Sequence, residues 1–220
     1  MSVWITDQAE QSAAVKPLPQ RTEEQADRRA YCIVKRGFDL VASILGLLIL
    51  FIPMAVIGLI VMLDSPGSAI FRQERLGKDG RPFMMYKFRS MRPDAEDDGP
   101  RWAEEEDPRC TRFGRFLRRT KIDELPQLYN ILRGEMSFVG PRPEREYFYH
   151  KFETYVPHFR QRLRVRPGLT GLAQINGGYD LKPEEKIVYD MEYIQNQSIR
   201  MDLKCILRTL VVLFTQPGTR

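Results

Sequence analysis

The longest apolar run in the chain is Leu40–Leu63, where 24 consecutive residues carry no charge. A helix of this length is long enough to cross the hydrocarbon core of a bilayer. Pro53 lies near its middle and removes one helical hydrogen bond, so a kink is predicted there. The run has basic flanks on both sides, at Arg28, Arg29, Lys35 and Arg36 before it and at Arg72, Arg75, Lys78 and Arg81 after it.

Two membrane arrangements fit this run. Positive charge marks the cytoplasmic side of a membrane, so basic flanks at both ends predict a helix that enters and leaves by the same face. Each half of the run reaches about 15–20 Å, which is the depth of one leaflet, so a re-entrant helix hairpin bent at Pro53 fits. The alternative is a single span whose two flanks are basic because the soluble domain is basic. The charge pattern alone favours neither arrangement.

Shorter patterns after this run predict a hairpin and further helices. Two β-like segments, Ile70–Phe71 and Phe83–Phe88, lie on either side of Gly77–Gly80, whose Asp-Gly pair is a hairpin signal. Asp202–Phe214 is a short apolar helix with two basic residues on its polar stripe. Such a helix can lie in a membrane surface or pack on a soluble core, and the apolar run at Leu40–Leu63 favours the membrane surface.

Charge and cysteine content narrow the choice of partner and compartment. The net charge of +5 and the isoelectric point near 9.1 point to an anionic partner, such as a nucleotide, a phospholipid surface or a nucleic acid. Three widely separated cysteines form no disulfide framework, which indicates a reducing compartment. The acidic segment Asp94–Asp107 lacks the spacing of a calcium-binding loop and is interpreted as a solvated loop.

Adjacent carboxylates at Asp123 and Glu124 follow a strongly basic segment. Between Arg109 and Lys121 there are six basic residues and no acidic one. Arginines recur there every three residues, so a helix is predicted to place them along one side, at Arg112, Arg115 and Arg118. Carboxylates beside clustered arginines suit chemistry on a phosphate, because guanidinium groups and a metal ion neutralise the ester.

Asp123 is the candidate nucleophile of this segment. Pro126 favours the first turn of a helix, so Asp123 is predicted at or next to a helix N-terminus. A helix cap without a catalytic role is the alternative. A carboxylate with an ordinary pKa is ionised at neutral pH, so it can attack phosphorus without a general base. Glu124 is the predicted ligand of Mg²⁺, which takes one or two carboxylates plus substrate oxygens.

Four motifs together resemble a known family: KRGFDL (Lys35–Leu40), YKFRSM (Tyr86–Met91), the segment Arg118–Pro143, and RPGLTGLAQINGG (Arg166–Gly178). They are similar to motifs of the bacterial sugar transferases in the monotopic phosphoglycosyl transferase superfamily. The resemblance spans about residues 35–214. It implies transfer of a phosphosugar from a nucleotide diphosphosugar, usually a UDP-sugar, to polyprenyl phosphate.

The resemblance also implies roles for individual residues. Asp123 would form a covalent phosphosugar intermediate, and Glu124 would assist with Mg²⁺. Phosphate or nucleotide contacts are implied for Lys87, Arg118 and Arg142. Arg142 lies in a Pro-Arg-Pro turn and is predicted to be exposed, where it either contacts the donor phosphate or forms a salt bridge with a local acid such as Glu144.

The fold implied by the resemblance is α/β and mostly helical. It combines a re-entrant membrane helix hairpin with a small cytosolic catalytic core and interfacial amphipathic helices. The predicted units are a polar tail at residues 1–21, the N-terminal and re-entrant helix at 22–64, the catalytic domain at 65–200 and an interfacial helix with its tail at 201–220. The catalytic domain is expected in the cytoplasm, at the inner membrane of a bacterium.

Three positions depart from the family pattern. The serine that usually precedes the helix-breaking proline is Ile52, and the aspartate that usually precedes Met-Ser is Glu135. An arginine that often follows Asn-Gly is replaced by Gly178. Arg166 is the predicted replacement for the phosphate contact that this arginine would make.

The predicted function is therefore an enzyme that begins glycan assembly on a lipid carrier, with a nucleotide diphosphosugar, polyprenyl phosphate and a membrane as partners. Two alternatives come from other classes. A membrane-tethered phosphohydrolase would release sugar phosphate to water, and a nucleic-acid-binding adaptor would use the basic segment. The sequence contains no helix-turn-helix or RRM signature, so nucleic acid is not an expected partner.

Overall fold

The computed structural model describes residues 25–97, 99, 107–177 and 181–215, and the predicted tail at 1–21 lies outside them. The fold is mostly helical α/β. The helices are α1 Gln25–Asp64, α2 Arg112–Arg119, α3 Gln127–Arg133, α4 Glu146–Glu153, α5 Leu172–Asn176, α6 Pro183–Gln195 and α7 Ile199–Thr215. The strands are β1 Ile70–Leu76, β2 Pro82–Phe88, β3 Ser137–Val139 and β4 Gly168–Thr170.

The long helix α1 packs one stripe of residues against the rest of the protein. Leu47 and Leu50 contact one core cluster, and Met54, Ile57 and Val61 belong to another. These residues recur every three or four positions, so they lie on one side of the helix. The opposite side exposes large apolar side chains to the surroundings, among them Val41, Leu45, Leu48, Ile49, Phe51, Ile52, Val56, Leu59 and Leu63.

Helix α1 is long and apolar enough to cross a membrane by length and composition. Only 11% of the positions in its most apolar stretch are buried inside the protein, which is unlike the core helix of a soluble domain. Pro53 lies within α1 on its exposed side. Helix α1 runs through Pro53 as one element from Gln25 to Asp64, and the kink predicted at Pro53 stays a prediction. The re-entrant hairpin itself stays a prediction.

The predicted hairpin is confirmed. Strands β1 and β2 pair antiparallel, with Ile70 opposite Phe88 and Leu76 opposite Pro82. Asp79 and Gly80 both have positive φ, at 57° and 75°, which is the left-handed region that an Asp-Gly pair tolerates. Phe83 and Met85 are buried in one core cluster and Phe88 in another. Lys87 shares the face of Phe83 and Met85 by strand alternation and lines the cavity at the end of the strand.

A second, parallel pair of strands positions the turn that carries Arg142. β3 and β4 pair with Val139 opposite Thr170. A Cβ atom at Gly140 would lie 2.4 Å from the Arg166 carbonyl oxygen, and one at Gly168 would lie 2.1 Å from the Gly140 nitrogen. Only glycine allows the two backbones to approach this closely. The close approach of the two backbones therefore fixes where the Pro141–Pro143 turn leaves β3.

The start of α1 is joined to α7 by a polar cluster. Lys35 Nζ lies 2.8 Å from Asp202 Oδ2, and the Tyr31 hydroxyl donates to the same oxygen at 2.9 Å. The Tyr193 hydroxyl lies 2.8 Å from the other oxygen of Asp202. Helix α7 buries Cys205 and exposes an apolar side at Ile199, Leu203, Leu207, Leu210 and Val211. The helix predicted at Asp202–Phe214 is thus present, and its contact with a membrane stays a prediction.

Candidate active site

Helix α2 delivers one arginine to the site. Its N-cap Thr111 accepts a hydrogen bond from the Gly114 nitrogen, and Gly114 packs against the Ser90 backbone after β2. Arg118 is 9% exposed, whereas Arg112 and Arg115 are exposed. The prediction that these three arginines share one side is wrong, because two steps of three residues rotate a position by roughly 120° around a helix.

Asp123 and Glu124 lie in a tight 3-10 turn between α2 and α3. Lys121 precedes this turn in the left-handed conformation, with φ of 57°. Asp123 is 6% exposed and Glu124 is 9% exposed. The N-cap position of α3 is Pro126, so Asp123 is not the cap of that helix. The alternative that Asp123 serves only as a helix cap is therefore excluded.

Two cations hold Glu124. Arg142 Nη2 lies 2.5 Å from Glu124 Oε1, and Arg142 Nη1 lies 3.4 Å from Oε2. Lys87 Nζ donates to Oε1 at 3.1 Å. Burial alone raises the pKa of Glu124, but the charges of Arg142 and Lys87 outweigh burial and hold this pKa below its ordinary value. Glu124 is therefore ionised and fixes the two cations next to Asp123.

The pKa of Asp123 is shifted in the opposite direction from that of Glu124. Burial, followed by the charge of Glu124, raises the pKa of Asp123 to about 6, against opposing effects of Lys87, Arg118 and Arg142. Its pKa is thus higher than the ordinary value assumed from the sequence, yet Asp123 is still mostly ionised at neutral pH. A more basic carboxylate is also a better nucleophile, provided that nearby cations neutralise the group it attacks.

A cavity of about 250 Å³ opens above Asp123. Its described lining contains three acidic side chains, Glu96, Asp123 and Glu144. It contains nine basic ones, Arg75, Lys87, Arg89, Arg92, Arg109, Arg118, Arg142, Arg145 and Lys186. This excess of positive charge in a partly buried cleft favours a polyanionic ligand such as a diphosphate.

The structure brings together five of the six residues predicted for the site and leaves one out. Asp123, Lys87, Arg118 and Arg142 line the cavity, and Glu124 contacts two of them. Arg166 is not in the described lining. Its Nε donates to the Gly134 carbonyl at 3.0 Å, at the carboxyl end of α3. The prediction that Arg166 supplies a phosphate contact in this cavity is therefore not supported, and Gly178 lies outside the described residues.

Arg142 is more enclosed than its turn suggested. Its side chain is 17% exposed and pairs with Glu124, not with Glu144. Glu144 is held instead by Arg75 at 3.1 Å. The sequence pattern missed Arg75 and Lys186 as cavity residues, because only the packing of β1 and α6 brings them to Arg142 and nothing in their local sequence marks them.

We expect replacements of Arg142 and Arg166 to show that only Arg142 contributes to binding of the donor. Arg142→Ala should raise the KM for the donor about tenfold or more, because a charge-assisted contact with phosphate contributes roughly 1.5–3 kcal/mol. Arg166→Ala, its matched control, should change the donor KM less than about twofold, because its partner is a backbone carbonyl outside the cavity. Steady-state kinetics with varied donor measures both, and equal effects of the two variants would contradict this assignment.

The two other departures from the family pattern lie away from the cavity. Glu135 Oε2 accepts a hydrogen bond from Asn130 Nδ2 at 2.7 Å, and Asn130 Oδ1 accepts one from the Tyr86 nitrogen at 3.1 Å. Asn130 is fully buried, so Glu135 helps to fix the β2 backbone one residue before Lys87. Ile52 is exposed on the apolar side of α1.

The carboxylate oxygens of the site are compatible with a Mg²⁺ ion whose other ligands come from a substrate. Among the described residues no group of three or more acidic, His or Cys side chains forms a metal cage. Glu124 Oε2 accepts only a long contact of 3.4 Å from Arg142, and Asp123 is adjacent in the chain. Such a site offers one or two carboxylates, which is what Mg²⁺ uses when phosphate oxygens supply other ligands.

Comparison with known proteins decides the family. A sequence profile of bacterial sugar transferases matches residues 30–216, which is most of the chain. The chain belongs to the bacterial sugar transferase family. The matched region includes α1 from residue 30 onward, the described lining of the cavity and α7, so the site described above is part of the family domain.

Several relatives of this chain have curated names. The exopolysaccharide production protein PSS of Rhizobium leguminosarum bv. phaseoli is 42% identical over 193 residues, covering 84% of this chain and 96% of the relative. A UDP-glucose:undecaprenyl-phosphate glucose-1-phosphate transferase of Caulobacter vibrioides is 44% identical over 196 residues, covering 86% and 72%. A UDP-N-acetylgalactosamine-undecaprenyl-phosphate N-acetylgalactosaminephosphotransferase of Aeromonas hydrophila is 38% identical over 193 residues, covering 86% and 46%. The chain thus spans about half the length of some relatives and nearly all of others.

Proposed function

We propose that this protein transfers a sugar 1-phosphate from a nucleotide diphosphosugar, with a UDP-sugar as the expected donor, to polyprenyl phosphate. The products are polyprenyl diphosphosugar and UMP, and the reaction is the first membrane step of bacterial glycan assembly. The observation that carries the proposal is a buried carboxylate, Asp123, in the wall of a strongly basic cavity. The names of several relatives, which act on undecaprenyl phosphate, support the same reaction.

The proposed reaction proceeds in two displacements at one phosphorus atom. The Asp123 carboxylate attacks the phosphorus that bears the sugar, and the bond from this phosphorus to the oxygen bridging the two phosphates breaks. That oxygen leaves with the nucleoside monophosphate. A phosphate oxygen of polyprenyl phosphate then attacks the same phosphorus and displaces the carboxylate. Neither step requires proton removal from the nucleophile, because a carboxylate and a phosphate are both already ionised.

Neighbouring residues provide the charge that this chemistry requires. Lys87, Arg118 and Arg142 neutralise the phosphate under attack, which would otherwise repel the carboxylate. Glu124 keeps Lys87 and Arg142 in place and is the residue that would hold Mg²⁺ together with the substrate. When bound, Mg²⁺ would add charge neutralisation on the diphosphate oxygens.

Exposed apolar surfaces support a membrane location for this reaction. Helices α1 and α7 both present apolar faces, and their N-terminal parts are joined by the ion pair between Lys35 and Asp202. A stacked pair of rings on α2, Phe113 and Phe116, lies beside exposed arginines. Such a mixture suits the boundary between acyl chains and anionic headgroups. The proposed arrangement places α1 in the cytoplasmic leaflet of the inner membrane and the cavity at headgroup depth, facing the cytosolic nucleotide sugar.

A topology experiment tests the re-entrant arrangement. Pro53→Leu should remove the kink predicted at this position, so that the roughly 36 Å of helix over Leu40–Leu63 can span the bilayer straight, and should move the N-terminus to the periplasm in part of the population. Single cysteines at Ser12 and Ser68, in a protein whose exposed Cys32 is replaced by serine, are labelled in sealed cells with an impermeant reagent.

In the protein with Pro53 intact, both cysteines should be protected in the cytoplasm. Ile52→Ala, which removes bulk at the neighbouring exposed position without changing the backbone, serves as the control and should behave like the parent protein. Labelling of the cysteine at position 12 from the periplasm, with position 68 protected, would mean a true span and would refute the hairpin.

The reaction is tested with a panel of radiolabelled UDP-sugars, each incubated with purified protein and short-chain polyprenyl phosphate. The expected result is a radiolabelled lipid diphosphosugar from at least one donor, together with an equal amount of UMP. Release of free sugar phosphate without lipid acceptor would favour a phosphohydrolase. Retention of DNA at physiological salt, without any sugar transfer, would favour a nucleic-acid adaptor.

A further inference from the structure

The ion pair between Glu124 and Arg142 joins two elements of the fold that carry the site. Glu124 lies in the turn before α3, and Arg142 lies in the turn after β3. The pairing of Arg142 with Glu124 therefore depends on how α3 and β3 are held relative to each other. In both elements the end away from the ion pair contacts α1, although no residue of α1 belongs to the described lining of the cavity.

Arg36 of α1 holds the C-terminal end of α3. Its Nη1 donates to the Ile131 carbonyl at 2.7 Å, and its Nη2 donates to the Leu132 carbonyl at 2.8 Å. The last carbonyls of a helix lack partners in a following turn, so a cation that donates to them is favourable there. The helix ends at Gly134, whose φ is 80°, and a Cβ atom at this position would lie 3.1 Å from Arg36 Nη2. The guanidinium thus packs directly against the end of α3.

Asp39, one turn further along α1, holds the start of β3. Its Oδ1 accepts hydrogen bonds from the Phe138 nitrogen and from Ser137 Oγ, both at 3.1 Å. The Ser137 nitrogen donates instead to the Pro167 carbonyl at 2.9 Å, on the side of β4. Successive amide groups of a strand point to opposite edges, so the Phe138 amide faces away from β4. Asp39, which is 1% exposed, therefore supplies the acceptor that a neighbouring strand would supply.

The connection from β3 to Arg142 is short and stiff. The Gly140 nitrogen donates to the Thr170 carbonyl at 2.9 Å, which ties the end of β3 to β4. Arg142 itself lies between Pro141 and Pro143, and a proline ring fixes the φ angle of its own residue and restricts the residue before it. A shift of β3 is therefore carried to the Arg142 guanidinium and is not absorbed by the turn.

We propose that Asp39 is a positioning residue, which fixes β3 against α1 so that Arg142 reaches both Glu124 and the diphosphate of the donor. The inference rests on the contact between Arg142 and the donor in the proposed function. A charge-assisted contact depends steeply on geometry, and a misplacement of about 1 Å is enough to lose most of it. Helix α1 thus acts on the site through hydrogen bonds to β3, in addition to any contact with a membrane.

The test is a double-mutant cycle read out by binding of UDP, which carries the diphosphate without a sugar. Asp39→Ala removes both hydrogen bonds to β3 and should raise the dissociation constant for UDP about tenfold, as Arg142→Ala should. The combined variant Asp39→Ala/Arg142→Ala should bind UDP no more than about twofold more weakly than Arg142→Ala, because Asp39 acts only through Arg142. Calorimetry with purified protein measures all four affinities.

Two further variants separate positioning from charge and from burial. Asp39→Asn keeps an oxygen that accepts from Phe138 and Ser137, so its UDP affinity should stay within about twofold of the parent. Ser43→Ala removes a fully buried hydroxyl of α1 that donates to the Leu40 carbonyl of the same helix, and it should match the parent. A loss in either variant as large as that in Asp39→Ala would overturn the inference.

The cycle also identifies a merely structural role. If Asp39→Ala lowers thermal stability but leaves UDP affinity unchanged, or if its effect multiplies with that of Arg142→Ala, Asp39 does not position Arg142. If Asp39→Ala does not fold, Ser137→Ala decides, because it removes one of the two hydrogen bonds to Asp39. It should weaken UDP binding about threefold in the parent and not at all in Arg142→Ala, and an unchanged affinity in the parent would overturn the inference.

The binding readout separates this inference from the proposed function. If the parent binds UDP but transfers no sugar phosphate, the proposed function fails, and a non-additive cycle still supports the role of Asp39. If the parent transfers sugar phosphate but the effects of Asp39→Ala and Arg142→Ala on UDP affinity multiply, the role of Asp39 is refuted and the proposed function stands.

Discussion

Replacing Asp123 with asparagine is expected to lower sugar-phosphate transfer by more than about a thousandfold, because an amide cannot form the covalent bond to phosphorus. The two side chains have the same shape, so the cavity and its cations should be retained. The rate of lipid diphosphosugar formation is measured with saturating donor and acceptor. Transfer by Asp123→Asn within tenfold of the parent would exclude Asp123 as the nucleophile.

A stability measurement provides the control for this variant. Burial and Glu124 raise the pKa of Asp123, so its negative charge disfavours the folded state at neutral pH. Asp123→Asn should therefore unfold at the same or a higher temperature than the parent. Glu124→Gln should instead unfold at a lower temperature than the parent, because it removes the negative charge of Glu124. Its charge stabilises the fold above the ordinary carboxyl pKa, because Arg142 and Lys87 hold its folded-state pKa low in spite of burial.

The largest loss of stability is expected from Arg162→Met. The Arg162–Asp190 pair is fully enclosed at 2.6 Å, and removal of one partner leaves an uncompensated buried charge. Such a loss costs about 3–5 kcal/mol of the free energy of unfolding. The Arg162 guanidinium also lies 4.7 Å from the ring centroid of Phe159 and donates to the Arg142 carbonyl. The donor KM should rise together with the loss of stability, because the Arg142 carbonyl loses its hydrogen bond from Arg162.

Two further variants make the origin of this loss measurable by denaturant unfolding. The double variant Arg162→Met/Asp190→Leu should recover much of the lost stability, because it removes the unpaired carboxylate as well. Asp94→Asn, which breaks an ion pair with Arg92 whose side chains are more than half exposed, should cost less than about 1 kcal/mol. If Arg162→Met costs no more than Asp94→Asn, the buried pair is not a determinant of stability.

Local sequence signals were sufficient for much of the fold and for the centre of the site. The Asp-Gly turn and its flanking β-like segments specify the hairpin, and the uncharged run specifies α1, because these signals depend on neighbours in the chain. Asp123, Glu124 and Arg118 belong to one segment, so their proximity is a local property. Lys87 and Arg142 were assigned through the family resemblance. In the structure, the packing of β2 and the close approach of the β3 and β4 backbones at Gly140 bring them to the same carboxylate, Glu124.

Contacts between distant segments explain what the sequence did not reveal. Arg142 was expected to be exposed, but its partner Glu124 lies 18 positions away and encloses it. Arg166 precedes a glycine-rich turn, as an anion-binding arginine can, yet the parallel pairing of β3 with β4 directs it to Gly134. Lys186 lies in an ordinary helical pattern, and only the packing of α6 against the Phe159–Arg164 turn shows that it reaches the cavity.

The central claim is that Asp123 carries the phosphosugar between donor and acceptor. It is tested most directly by the intact mass of the purified protein after incubation with its donor and no lipid acceptor. The account predicts a mass increase of one phosphosugar in the parent protein, loss of this increase after addition of polyprenyl phosphate, and no increase in Asp123→Asn. An unchanged mass in a protein that does transfer sugar phosphate when both substrates are present would contradict the covalent route.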